Sequence, residues 1–148
     1  MILIAHRGNI NGPNPAMENH PDYVQAALDA GYDVEIDLWR PDGQWKSYLG
    51  HDAPQYDYWV GWENPRLWIH CKDLGALRLC QYQEAIAGNY FWHQNDDFTL
   101  TSRNWIWTFP GKPLTPNSIC VMPENCPEEP LMLRGCVGVC SDYVGKYR

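Results

Sequence analysis

Residues 33–39 read Asp33-Val34-Glu35-Ile36-Asp37-Leu38-Trp39, charged and apolar side chains in strict alternation. Period-two alternation marks a β-strand, because successive strand side chains point to opposite faces. Val34, Ile36 and Leu38 therefore share one face, and Glu35 and Asp37 share the other. With such neighbours the segment reads as an inner strand, its charged face directed into the mouth of the fold. Two carboxylates side by side repel unless a cation or a proton lies between them. A hard divalent ion with oxygen ligands is the natural way to satisfy the pair.

Working outward towards the N-terminus, Ile2–Ala5 is an apolar run that ends abruptly at His6-Arg7-Gly8, a buried strand opening into a loop. The loop Asn9–Asn19 is rich in Asn, Pro and Gly. Pro21 suits the first residue of a helix and Gly31 the position just past its end, with Tyr23, Val24, Ala27 and Leu28 on one face between them. In the other direction Pro41-Asp42-Gly43 signals a turn, and Trp45–Leu49 is again strand-like. A reversal there brings Gly50 and His51 back opposite Val34 and Glu35, a one-residue bulge deciding which of them pairs. Either way His51-Asp52 returns to the level of the carboxylates, and His6 leaves the end of a strand that neighbours them. Two histidines converging on a carboxylate-bound cation suit the splitting of a phosphodiester.

Leu67–Cys71 is a further short strand, and Asp73–Ala87 a helix with Leu74, Leu77, Tyr82 and Ile86 as its stripe and Gly88 as its stop. After Gly88 helical periodicity disappears. Short strands are expected at Tyr90–His93, Trp105–Phe109, Ile119–Met122 and Val137–Cys140. With the four earlier runs this makes about eight, the number a closed barrel of the TIM type needs. Such barrels usually take about 250 residues, and the chain has 148. The expected fold is therefore an α/β class, TIM-type (β/α) barrel in reduced form, a single domain over 1–148 with most outer helices missing in its second half.

The net charge of −7 and the absence of any basic run exclude a nucleic-acid partner. An acidic protein that handles phosphate needs a metal cation or a few focused cations. Eight Trp and nine Tyr either fill a compact core or wall a ligand cleft. The six cysteines form no C-x-x-C and have no zinc-finger spacing, which predicts reduced, mostly buried thiols. The N-terminus runs directly into a strand with no charged segment or cleavage site, and no apolar stretch approaches the roughly 20 residues that span a bilayer. A cytoplasmic protein without a membrane span is the expectation. A homodimer covering apolar surface left bare by the missing helices is a further one.

Ala5-His6-Arg7-Gly8, Met17-Glu18-Asn19, Val34-Glu35-Ile36-Asp37-Leu38, Asp42-Gly43 and Gly50-His51-Asp52 follow one another in order. This succession resembles the His-Arg-Gly, Pro-Glu-Asn, Glu-x-Asp and Asp-Gly…His-Asp motifs of the glycerophosphodiester phosphodiesterase family, within the PI-PLC-like phosphodiesterases. The likeness covers residues 2–52, about a third of the chain. Each piece alone is weak, and four in the right order are fairly specific. The resemblance implies a site at the carboxyl ends of barrel strands. It implies a divalent metal, Mg²⁺ or Ca²⁺, on Glu35 and Asp37, with His6 and His51 as general acid and base or nucleophile. It further implies that Arg7 contacts the phosphate and that Glu18 supports the metal or orients Arg7, though a carboxylate just ahead of a helix also suits the helix dipole. The substrate would be a small-molecule glycerophosphodiester, cleaved by water or by its own neighbouring hydroxyl.

The chain departs from the family where a third acidic ligand is usual, in a Glu-x-Lys. The corresponding segment is His70-Cys71-Lys72, which keeps the lysine, a phosphate contact or an ion-pair partner, and replaces the acid by histidine. Imidazole binds Mg²⁺ poorly but suits Mn²⁺, Zn²⁺ or Fe²⁺. Trp107-Thr108 and Ser141-Asp142-Tyr143 loosely resemble late family motifs, which makes Trp107 a candidate substrate contact. The rival reading is a non-catalytic module that binds a lipid head group or sugar on a degenerate barrel, using the Trp- and Tyr-rich stretch 56–68.

Overall fold

In the computed structural model, which describes residues 1–57, 61, 63–83, 86–126 and 133–148, the chain is a ten-stranded mixed sheet curled into a half-barrel, with two α-helices. The strands are β1 (Ile2–His6), β2 (Asp33–Trp39), β3 (Tyr48–Leu49), β4 (Tyr56–Asp57), β5 (Leu67–Cys71), β6 (Asn89–Trp92), β7 (Phe98–Leu100), β8 (Ile106–Thr108), β9 (Ser118–Val121) and β10 (Gly138–Ser141). The helices are α1 (Pro21–Asp29) and α2 (Leu74–Tyr82). Seven strands run parallel in the order β6-β5-β2-β1-β10-β9-β8. Antiparallel β7 borders β8, and the short β3 and β4 form an antiparallel flap on the end of β2.

Strand alternation divides the interior in two. Val34, Ile36 and Leu38 of β2 pack with Ile69 and Cys71 of β5 beneath Val24, Ala27 and Leu28 of α1 and Ala76 and Cys80 of α2. Inside the curl, Ile4, Trp68, Phe91, Trp107, Ile119 and Cys140 meet from six different strands. The margins of the curl are drawn together by side chains: Tyr90 N–H donates to Ser102 Oγ, Ser102 N–H to the Tyr90 carbonyl, and Thr99 Oγ1 to the Trp92 carbonyl.

This architecture corrects the expected TIM-type barrel with alternating helices. The connection β5–α2–β6 has a helix of nine residues, but β6 and β8 are joined through the antiparallel β7. Among the described residues the later links contain only short 3₁₀ turns at Pro123–Asn125, Leu133–Gly135 and Val144–Tyr147. Links of that kind offer no amphipathic stripe long enough to make an outer helix. The second helix is also shorter than its periodicity suggested, since Gln83 already has extended backbone.

The β2–β3 hairpin differs as well. Leu38 pairs with Leu49 and Trp39 with Tyr48, and Gly50 N–H donates to the Asp37 carbonyl at 3.2 Å. His51 therefore enters beyond Asp37, not opposite Glu35. The cause is a loop over residues 40–47 longer than the turn signal implied, which reduces the Trp45–Leu49 strand to two residues. Exposed apolar side chains include Phe98 and Leu100 on β7 and Phe109 after β8. Among the described residues no helix is long and apolar enough to cross a membrane.

Candidate metal centre and active site

The site lies at the carboxyl ends of three adjacent parallel strands, and strand register assembles it. Glu35 is paired with His6 of β1, and Asp37 with His70 of β5. All four side chains point to the inside of the curl, because residues two apart on β2 share a face. Glu35 and Asp37 are 2 % and 1 % exposed. Glu35, Asp37 and His70 each present one ligand atom within 4.8 Å of the others.

The surroundings of the two carboxylates differ, and so does their acidity. Burial raises the Glu35 pKa, and the neighbouring Asp37 charge raises it further. Asp37 is equally buried, which works to raise its pKa, yet His70, Arg7 and Lys72 together hold it below the ordinary carboxylate range. Lys72 Nζ lies 3.4 Å from Asp37 Oδ1, and Arg7 Nε 3.2 Å from Oδ2. Asn19 makes two bonds to the same residue, accepting from its backbone N–H and donating to Oδ2, both at 2.9 Å. Two buried atoms around the carboxylate pair, Asp37 Oδ1 and Arg7 Nε, nevertheless have no aligned hydrogen bond.

Arg7 reaches this position through left-handed backbone, at φ 54°, and Asn19 is similar at φ 63°. Such φ values are uncommon for residues other than glycine and are maintained where the surroundings over-determine them. Here Arg7 N–H donates to the Glu35 carbonyl and to Glu35 Oε2. Gly8 follows at φ 91°, and a side chain there would run into the Tyr23 ring. Glu18 Oε2 accepts from Arg7 at 3.0 Å, and its Oε1 accepts from Asn9. Glu18 thus orients Arg7, and the cap of α1 is His20.

His6 Nδ1 lies 2.7 Å from Asp142 Oδ1, just past β10, and its Nε2 lies 4.0 Å from Glu35 Oε2. Burial works to lower the His6 pKa. The hydrogen bond to Asp142 and the Glu35 charge outweigh it, so the net shift is upward. Asp142 is fixed in turn: its N–H and the Ser141 hydroxyl both donate to Glu124 Oε1, and Asn9 donates to its Oδ1. His51 stands at the outer edge of the site, its Nδ1 2.7 Å from Asp52 Oδ1. Partial burial and the positive charge of Arg7 push its pKa down. A cleft of about 360 Å³ leads away from this point, lined by Trp39, His51, His70, Lys72, Trp92 and Gln94 among others.

The structure therefore brings together His6, His51, Arg7, Glu18, Glu35, Asp37, His70 and Lys72 from the expected set. Trp107 lies elsewhere: it is 4 % exposed and packs against Phe91 and Trp68 inside the curl. Of the aromatic stretch 56–68, residues 58–60 and 62 lie outside the described residues. Asp142, Asn19, Asn9 and Glu124 were not assigned roles from sequence, since a polar residue in a late loop gives no sign of the strand it will meet. No family model, curated protein or solved structure matches the chain.

Proposed function

We propose that the protein is a metal-dependent phosphodiesterase that cleaves a glycerophosphodiester or a similar small-alcohol diester. One observation carries this reading: a buried carboxylate pair is flanked by two histidines whose acidities are pushed in opposite directions. Groups separated in this way divide naturally into an acid and a base. His51, its pKa lowered, is neutral near pH 7 and takes the proton from the attacking hydroxyl. His6, its pKa raised and its Nδ1 held by Asp142, gives a proton from Nε2 to the leaving alkoxide.

Arg7 and Lys72 hold the phosphoryl oxygens. Glu35, Asp37 and His70 would hold the cation, and Asp37 Oδ1, with no donor aligned to it, fits such a ligand role. A divalent ion there supplies positive charge to the developing phosphorane oxygens. The cleft beyond Lys72 accommodates the alcohol portion.

The test is hydrolysis of bis-p-nitrophenyl phosphate and of glycerophosphodiesters by metal-stripped protein, with divalent ions restored one at a time. Metal-dependent turnover that falls by about 10²–10⁴-fold in His6→Ala supports the proposal. No turnover with any ion overturns it and leaves a binding site without a reaction.

A further inference from the structure

We propose that the metal centre selects Mn²⁺, Fe²⁺ or Zn²⁺ over Mg²⁺ and Ca²⁺, because His70 presents Nδ1 as its third ligand. The inference deepens the function proposed above and rests on it for the presence of a metal.

His70 Nε2 lies 2.7 Å from the backbone carbonyl oxygen of His93. A carbonyl only accepts, so Nε2 carries the hydrogen, and in the neutral ring the lone pair is on Nδ1. That nitrogen lies 3.1 Å from Asp37 Oδ1 and 3.8 Å from Glu35 Oε1. With Nδ1 unprotonated, three electron-rich atoms face one another in a buried space, where Lys72 Nζ, 3.4 Å from Asp37 Oδ1, is not aligned to donate to it. A cation between them resolves the conflict.

The ring cannot easily turn away. Phe91 stacks against it at 5.2 Å and an interplanar angle of 13°, and rotation would forfeit the His93 bond. An imidazole whose outer N–H is pinned by a carbonyl is the usual support of a metal-ligating histidine, fixing which nitrogen faces the ion. Mg²⁺ and Ca²⁺ are oxygen-seeking, whereas one imidazole with two carboxylates suits the first-row transition ions and Zn²⁺. Two oxygens and one nitrogen thus define the preference.

The experiment is calorimetric titration of metal-stripped protein with Mn²⁺, Zn²⁺, Mg²⁺ and Ca²⁺, together with pulsed electron paramagnetic resonance of the Mn²⁺-loaded protein. The expected result is Mn²⁺ and Zn²⁺ binding more tightly than Mg²⁺ and Ca²⁺, with ¹⁴N coupling to Mn²⁺. In His70→Glu the coupling disappears and the preference moves towards Mg²⁺. His70→Gln, nearer in size and free of charge change, loses the coupling in the same way should the Glu variant fold poorly. Equal binding of Mg²⁺ and Mn²⁺, or a ¹⁴N coupling that survives both substitutions, overturns the selectivity while leaving a metal enzyme. Binding of none of the four ions, with His70 doubly protonated by ¹⁵N resonance, overturns the metal reading as well.

Discussion

Asp142 and His6 are 136 residues apart in sequence and 2.7 Å apart in space, joined by a hydrogen bond that neither strand makes possible alone. Asp142→Asn removes the negative charge that, together with Glu35, outweighs burial at His6. The His6 pKa is expected to fall, observed by ¹⁵N-edited resonance of the imidazole. kcat should drop by about 10²–10⁴-fold with KM little changed. Glu124→Ala should reproduce part of the loss, and Glu124→Gln, which keeps an acceptor for Asp142 N–H, should restore it. An unchanged His6 titration in Asp142→Asn would show that the pair does not set its acidity.

The opposite shifts of the two histidines predict a bell-shaped rate profile. Activity should rise as His51 deprotonates, below the ordinary value of 6.5 because its pKa is lowered. It should fall as His6 loses its proton, above 6.5 because its pKa is raised. A kcat/KM profile over pH 4–10 reads both limbs. Loss of the alkaline limb in Asp142→Asn would tie that limb to His6.

The same pair links stability to pH. His6 is raised on folding, so its contribution is complete below 6.5 and is lost as pH rises through the folded value. Asp142 is lowered, burial being outweighed by His6, so its contribution is present above 3.8 and is lost as pH falls through the folded value. The stability difference between the native protein and Asp142→Asn should therefore be largest between 3.8 and 6.5. Urea unfolding at pH 5.5 and pH 9 measures it, and a larger difference at pH 9 would contradict the linkage.

Gly50 places His51. Its φ is 151°, and a Cβ there would collide with the Ala53 carbonyl, while its own carbonyl accepts from Trp39 Nε1 at 2.6 Å. Gly50→Ala should move His51 and lower kcat by about 10²-fold, the cost of roughly an ångström of misplacement. Ile36→Ala, at a fully buried position behind the site, should instead cost about 2–5 kcal/mol of stability. Comparing kcat and urea midpoints in the two variants separates positioning from packing.

Cys71, Cys80 and Cys140 are buried thiols outside any disulfide. Cys71 Sγ lies 3.8 Å from Cys80 Sγ, and that hydrogen bond together with burial pushes the Cys71 pKa far above the ordinary thiol value. Burial does the same at Cys140. These two thiols should resist iodoacetamide at pH 8 in the native protein and react fully in 6 M urea, as followed by mass spectrometry. Rapid native labelling of Cys140 would show that the inside of the curl is open to solvent.

Much of the site was legible because it is built from local order. Glu35 and Asp37 share a face through strand periodicity, and β2 and β5 have the bounds that their apolar runs suggested. The second half of the fold was not legible. Strands of three or four residues such as β8 and β9 look alike whether a helix or a hairpin joins them. At the start of the loop over residues 40–47, which sets the level at which His51 enters, Gly75 lies close against the Arg40 carbonyl. Sequence spacing does not record such a contact. Nor could position 142 be assigned, since only the pairing of β1 with β10 carries it to His6.

That pairing has a consequence for synthesis. Ile2 lies against Gly138 in the sheet, so β1 leaves the ribosome with one edge lacking its neighbour until β10 has been made. At about 5–20 residues per second, the intervening chain takes roughly 7–30 s to make. Throughout that interval β1 presents an unpaired row of backbone donors and acceptors, the template on which strands of other molecules can add. A nascent chain of this protein is therefore an unsealed sheet, exposed to misassociation in proportion to how slowly it is translated.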